Sequence, residues 1–227
     1  MLLVRISPSI FFRDARIVRD LGLTLRFAIN THVHADHITG TWALKTKHFP
    51  ECKSAVAEVT GAAADMKLNE GDRIRFGSRY VRVLSTPGHT DVDLFNKYFG
   101  SLMSFQGCVS YVLDDESMVF TGDALLIRMC GRTDFQQGSP AKLWSSVRDK
   151  LFALPDSCTV YPAHDYSGLL SSSIAEEKAA NPRLGLHKTF EEFNEIMSAP
   201  RALPTKIDAS LPANMRCGEP IPEMASA

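Results

Sequence analysis

The sequence, 227 residues long, predicts an α/β (α+β) fold in a single domain spanning 1–227. Three observations carry this reading. Amphipathic stretches with helical spacing recur along the chain, strand-like alternating segments lie among them, and four short polar segments carrying His or Asp each follow an apolar, strand-like run. The length, with 44% hydrophobic residues, is enough for one substantial core.

Taken in order, Asp14–Leu21 is the first helix: Ile17, Val18 and Leu21 share a face opposite charges, and Gly22 is its stop signal. Leu25–Ile29 is short, apolar and strand-like. Arg73–Phe76 alternates polar and apolar, Gly77-Ser78 turns, and Tyr80–Leu84 is β-prone, which predicts a hairpin. A second hairpin joins Val109–Leu113 to Met118–Phe120 through Asp114–Ser117. Ser139-Pro140 is an N-cap followed by a proline at the first helical position, and Leu143, Val147 and Leu151 recur every four residues until Pro155. Thr189 and Glu192 have capping-box spacing ahead of a helix whose apolar face is Phe190, Phe193, Ile196 and Met197. The proline-rich tail, 201–227, reads as extended.

A formal net charge of -1, with no clustered Lys or Arg, excludes the electrostatic footprint of a nucleic-acid or membrane-surface binder. No apolar run approaches the roughly 18 residues of a membrane span. The five cysteines are odd in number, scattered and outside any CxxC pair, which argues against a disulfide framework and for a reducing compartment. Cys130 and Cys217 read as small buried hydrophobes. Met1–Arg19 has four arginines and no acid before Asp14, the composition of a mitochondrial transit sequence, although Asp14 also opens the first helix.

Five of the seven histidines fall in three segments that follow strand-like runs: Thr31-His-Val-His-Ala-Asp-His37, Thr86-Pro-Gly-His-Thr90 and Tyr161-Pro-Ala-His-Asp165. Thr121-Gly-Asp123 is a fourth. In layered α/β proteins ligands gather beyond the carboxyl ends of strands, so loops of this kind can converge. Imidazole and carboxylate are ligands shared by iron, zinc and manganese, and convergence of these groups implies a metal.

The pattern HxHxDH, here His32, His34, Asp36 and His37, is similar to the signature of the metallo-β-lactamase superfamily, and the likeness extends through His89, Asp123 and His164. It implies an αββα sandwich. Glyoxalase II and its hydrolytic relatives in that superfamily hold two metals, and every side chain for that arrangement is present here. Ligand identity therefore leaves hydrolase and dioxygenase both open. The flanking segments favour one of them. Gly122–Arg128, Cys130–Gly138, Pro162–Tyr166, Asn181-Pro-Arg183 and Pro212–Gly218 resemble the persulfide dioxygenases, and the resemblance covers about Arg13–Thr90 and Gly107–Gly218.

This resemblance implies one Fe(II) per chain held by His32, His89 and Asp123, with His34, Asp36, His37 and His164 orienting and tuning the site. It implies glutathione persulfide and O2 as substrates, with Arg132, Tyr166 and Arg183 lining the glutathione pocket. It places the protein in the mitochondrial matrix, with the cytoplasm as the alternative, and a homodimer is compatible with the sequence. Two departures stand out. Only Met1–Phe12 occupies the place of the family's first β-hairpin, and Asp91–Gln106 is an aromatic-rich insert directly after the His89 segment. Together they are the marks of a truncated or alternatively spliced form. The insert's apolar residues, Leu94 to Phe105, must pack somewhere: over the site as a lid, or on core surface left by the absent hairpin, which would draw His89 out of register. The second is the expectation. Two other functions stay open: a dinuclear glyoxalase II-like thioester hydrolase and a catalytically silent scaffold.

Overall fold

The structure is a computed structural model that describes residues 2–4, 11–92, 105–134, 136, 138–166, 168–199, 202 and 205–220. The chain divides into two compact units, Met1–Leu68 with Leu203–Ala227, and Asn69–Ala202.

The first unit is built on a parallel sheet in the order β1 (Leu2–Val4), β2 (Phe27–Ile29), β3 (Lys53–Ala57), β4 (Met66–Leu68). Strand β1 runs parallel to β2 with Leu2 opposite Phe27 and Val4 opposite Ile29, so the N-terminal segment supplies one edge strand. Helix α1 (Phe11–Asp20) forms where predicted, but on a different face. Ala15 and Val18 are buried with Leu25, Ala28, Leu44 and Cys52, whereas Ile17 is 42% and Leu21 64% exposed. The predicted stripe of Ile17, Val18 and Leu21 is thus rotated towards Ala15. Helix α2 (Thr41–Lys47), which the sequence pattern does not predict, buries Thr41 and Leu44.

The tail corrects a second expectation. Ile207–Asn214 is a helix, not an extended strap, although Pro212 lies inside it. An internal proline removes one backbone donor, at about 3 kcal/mol in a helix interior. Burial of Ser210, Leu211, Ala213 and Asn214 offsets that loss.

The second unit carries a six-stranded mixed sheet in the order β12 (Ser172–Ser173), β11 (Thr159–Pro162), β10 (Met118–Gly122), β9 (Val109–Leu113), β6 (Arg79–Ser85), β5 (Arg73–Phe76). The first predicted hairpin is β5 (Arg73–Phe76) and β6 (Arg79–Ser85), with Gly77 at φ 60° in the turn. The second is β9 (Val109–Leu113) and β10 (Met118–Gly122). Parallel to β10 runs β11 (Thr159–Pro162), and β12 (Ser172–Ser173) closes that edge. Because β10 and β11 are parallel, Asp123 and His164 leave the sheet at the same end.

Helix α3 (Pro140–Ser145) starts as predicted, with Ser139 Oγ accepting from the Lys142 amide, and 146–151 continue it in wider π-type turns. Leu143, Val147 and Leu151 are each fully buried, among Val112, Val119, Val160, Ile174 and Phe193. Each such side chain contributes about 1.5–3 kcal/mol on burial. Helix α4 (Ile174–Ala180) is capped by Ser173, and α5 (Phe190–Met197) has the predicted Thr189–Glu192 capping box.

At the ends of the insert, β7 (Asp91–Val92) pairs antiparallel with β8 (Phe105–Gln106), so its two stems meet as a short ribbon. The body of the insert, 93–104, lies outside the described residues, and the lid and displaced-core alternatives lie there with it.

Candidate metal centre

In the first unit the HxHxDH segment follows β2 at the carboxyl edge of the parallel sheet. His32 and His34 are buried, at 2% and 1% exposure, with ring centroids 4.1 Å apart. The His34 and His37 rings follow at 4.4 Å, and His37 Nδ1 lies 3.0 Å from Asp36 Oδ1. Thr31 Oγ1, 3.0 Å from His32 Nδ1, fixes the rotation of that ring. His34, Asp36 and His37 each offer a ligand atom within 4.8 Å of the others.

This loop is held by a residue to which the sequence pattern assigns no role. Asn214, at the end of α6 (Ile207–Asn214), donates from Nδ2 to the carbonyls of His34 and His37, both at 2.7 Å, and accepts the Thr39 amide at 2.8 Å. Thr39 Oγ1 donates in turn to Asn30 Oδ1 at 2.8 Å. The motif Pro212–Gly218 was the only sequence signal for this clamp, and Gly218 closes it: at φ +89°, a Cβ there would lie 2.1 Å from the Thr39 carbonyl oxygen.

In the second unit His89 Nε2 stands 3.3 Å from Asp123 Oδ2, and His164 Nε2 stands 3.7 Å from the same oxygen. His89 is 5% and Asp123 9% exposed. The expectation that the insert draws His89 out of register is therefore not met among the described residues. His89 Nδ1 lies 2.7 Å from the Arg132 carbonyl oxygen. A carbonyl only accepts, so Nδ1 carries the ring proton, and a neutral ring then turns the Nε2 lone pair towards a carboxylate oxygen. Two electron-rich atoms facing each other at that range require a second ring proton or a shared cation. The His164 imidazole beside the same oxygen adds a third group of a kind that transition metals accept as ligand.

Gly131 packs into the pair. Its amide donates to the Asp123 carbonyl at 2.7 Å, and a Cβ would fall 2.4 Å from that oxygen and 2.7 Å from His89 Nδ1. Gly88, at φ +130°, leaves similarly little room: a Cβ would meet the Leu143 amide nitrogen at 2.3 Å.

Of the residues expected to bind substrate, Tyr166 is 73% exposed and stacks on the His164 ring, with centroids 5.8 Å apart and planes 12° from parallel. Arg183 donates from Nη1 to the Cys130 carbonyl at 3.2 Å. Arg132 makes a two-pronged ion pair with Asp134, at 2.7 and 2.6 Å, and donates to the Ala202 carbonyl at 2.6 Å. That guanidinium braces its own loop, and its carbonyl orients His89. Cys130 and Cys217 are buried, as expected of small hydrophobes.

A sequence model of the Metallo-beta-lactamase superfamily matches residues 7–164. The fold and the His/Asp site therefore define a metal-dependent protein of that class. The mouse (Mus musculus) protein named persulfide dioxygenase ETHE1, mitochondrial, is 49% identical over 213 residues, 92% of this chain and 76% of that one. A crystal structure of ETHE1 from Myxococcus xanthus matches with a TM-score of 0.81 and 42% identity over 96% of this chain and 88% of that one. A hydroxyacylglutathione hydrolase of Brucella anthropi is more distant, 38% identical over 64% of this chain and 50% of its own length. The chain belongs to the metallo-β-lactamase superfamily and, within it, to the persulfide dioxygenases.

Proposed function

We propose that this protein oxidises glutathione persulfide with O2 to sulfite and glutathione, using one Fe(II) held by His32, His89 and Asp123, in the mitochondrial matrix. The observation that carries the metal part is the 3.3 Å approach of His89 Nε2 to Asp123 Oδ2, with Nδ1 committed to the Arg132 carbonyl. The names of the mouse and Myxococcus xanthus relatives support the dioxygenase reading over a glyoxalase II-like one. Iron, once bound, supplies a redox-active centre with open positions for persulfide and O2. In the net reaction both atoms of O2 enter the terminal sulfur, and water releases glutathione.

The protein's own groups orient and exclude. Thr31 and the Arg132 carbonyl fix the ring rotations of His32 and His89, and His164 shares the Asp123 carboxylate. In the first loop the His34 and His37 rings pack together and Asp36 pairs with His37 Nδ1. Tyr166 and Arg183 are the hydroxyl and cation for the glutathione carboxylates, and Arg132 acts mainly through its backbone.

The test is metal analysis beside two assays on the purified chain. About one iron per chain and O2 uptake on glutathione persulfide are expected. Two metals per chain with hydrolysis of lactoylglutathione would replace this reading by the thioester hydrolase.

A further inference from the structure

The loop joining Asp123 to Arg132 supports both halves of the His89–Asp123 pair, and a single carboxylate outside the site grips its middle. We propose that Glu177, on α4, is a positioning residue of the metal centre: it fixes the 124–131 loop, whose backbone in turn holds Asp123 and His89. This rests on the reading that these two residues bind the metal.

Glu177 is fully buried, yet among the described residues it belongs to no candidate metal-ligand group and to no ion pair. Its two oxygens accept the Arg128 backbone amide at 3.1 and 3.0 Å, and Oε2 also accepts Asn181 Nδ2 at 2.8 Å. Burial pushes its carboxyl above the ordinary carboxylate value, while the Asn181 and Arg128 donors pull it back. An apolar side chain would fill this space without needing donors. A buried carboxylate that needs several donors specifies where those donors must lie.

What it specifies is a strained turn. Arg128 has φ +52°, a left-handed conformation that is unfavourable for a residue with a Cβ. Leu126 and Met129 exchange backbone hydrogen bonds at 3.0 and 3.1 Å across it. The next two residues are gripped by the same helix end, since Asn181 Nδ2 donates to the Met129 carbonyl at 3.1 Å and Arg183 Nη1 to the Cys130 carbonyl at 3.2 Å. Residues 128, 129 and 130 are thus fixed in succession. Immediately after them, Gly131 bonds the Asp123 carbonyl and Arg132 receives His89 Nδ1. With a Cβ excluded at Gly131 by contacts of 2.4 and 2.7 Å, movement of the loop is passed to the ligands rather than absorbed.

The experiment compares the parent chain with Glu177→Gln, which keeps the volume but turns an amide donor towards the Arg128 and Asn181 donors. Dissociation constants for Fe(II) and Co(II) are measured by chelator competition, with the cobalt ligand-field spectrum as a geometric readout. The variant is expected to bind metal roughly 10-fold more weakly, as outer-shell groups do. Its cobalt spectrum should shift, and kcat should fall at unchanged KM for glutathione persulfide. A variant with parent-like metal affinity and spectrum, whatever its melting temperature, overturns the proposal. A parent that binds neither metal defeats the metal-site reading itself, which is a separate result. Should Glu177→Gln not fold, hydrogen exchange on the parent decides: coupling is reciprocal, so metal loading must increase protection of the Arg128 amide. Unchanged protection there overturns the proposal equally.

Discussion

Replacing Asn214 by Ala should loosen the His34–His37 loop without touching a histidine. The side chain makes three hydrogen bonds to buried or half-buried backbone: the His34 and His37 carbonyls at 2.7 Å and the Thr39 amide at 2.8 Å. A buried polar group left without its partner costs about 1–3 kcal/mol. With some water admitted beside the partly buried His37, we take about 1 kcal/mol for each group and so about 3 kcal/mol in all. For a chain of this length that corresponds to about 6–12 °C in melting temperature. Asn214→Asp should be at least as damaging, because its carboxylate retains the Thr39 amide but faces two carbonyl oxygens. The assay is thermal denaturation by circular dichroism on metal-free protein, followed by iron titration. A fall of less than 2 °C in the metal-free Asn214→Ala protein, with parent-like iron binding, would show that the loop is held by other contacts and refute the argument.

Three further outcomes are expected. Gly131→Ala drives a methyl into the Asp123 carbonyl and His89 Nδ1, so its iron content should fall to a small fraction of the parent's; full occupancy would mean that the ligands relax freely. His89→Ala should lose most bound iron, whereas His164→Ala should retain much of it and lose activity roughly 10- to 100-fold. Equal metal loss in the two would favour the dinuclear hydrolase. Asp115, in the turn between β9 and β10, is held down to about 2 by hydrogen bonds from the Ser117 hydroxyl and amide, and then by Arg79. A depressed folded value stabilises above the unfolded carboxylate pKa of about 3.9 and loses that contribution as pH falls through about 2. The carboxyl titration followed by NMR should therefore have its midpoint near 2 and move upward in Ser117→Ala; an ordinary midpoint in the parent removes the turn's role.

The sequence by itself determined whatever repeats locally. Helical spacing located α1, α3 and α5, the Ser139 and Thr189 caps marked two helix starts, and alternation located both hairpins of the second sheet. The metal-ligand candidates were legible because imidazole and carboxylate in strand-end loops have few other uses. Tertiary structure decided which face of α1 is buried, since Ala15 and Val18 fit beneath the helix where Ile17 and Leu21 do not. It made a helix of 207–214 against the local signal of Pro212, because burial of the neighbouring residues outweighs one missing donor. It also decided the clamps. Asn214 reaches the His34 carbonyl across 180 positions and Glu177 reaches the Arg128 amide across 49. Both bond to backbone groups, and every residue except proline offers the same amide and carbonyl, so nothing at either end of the sequence names its partner.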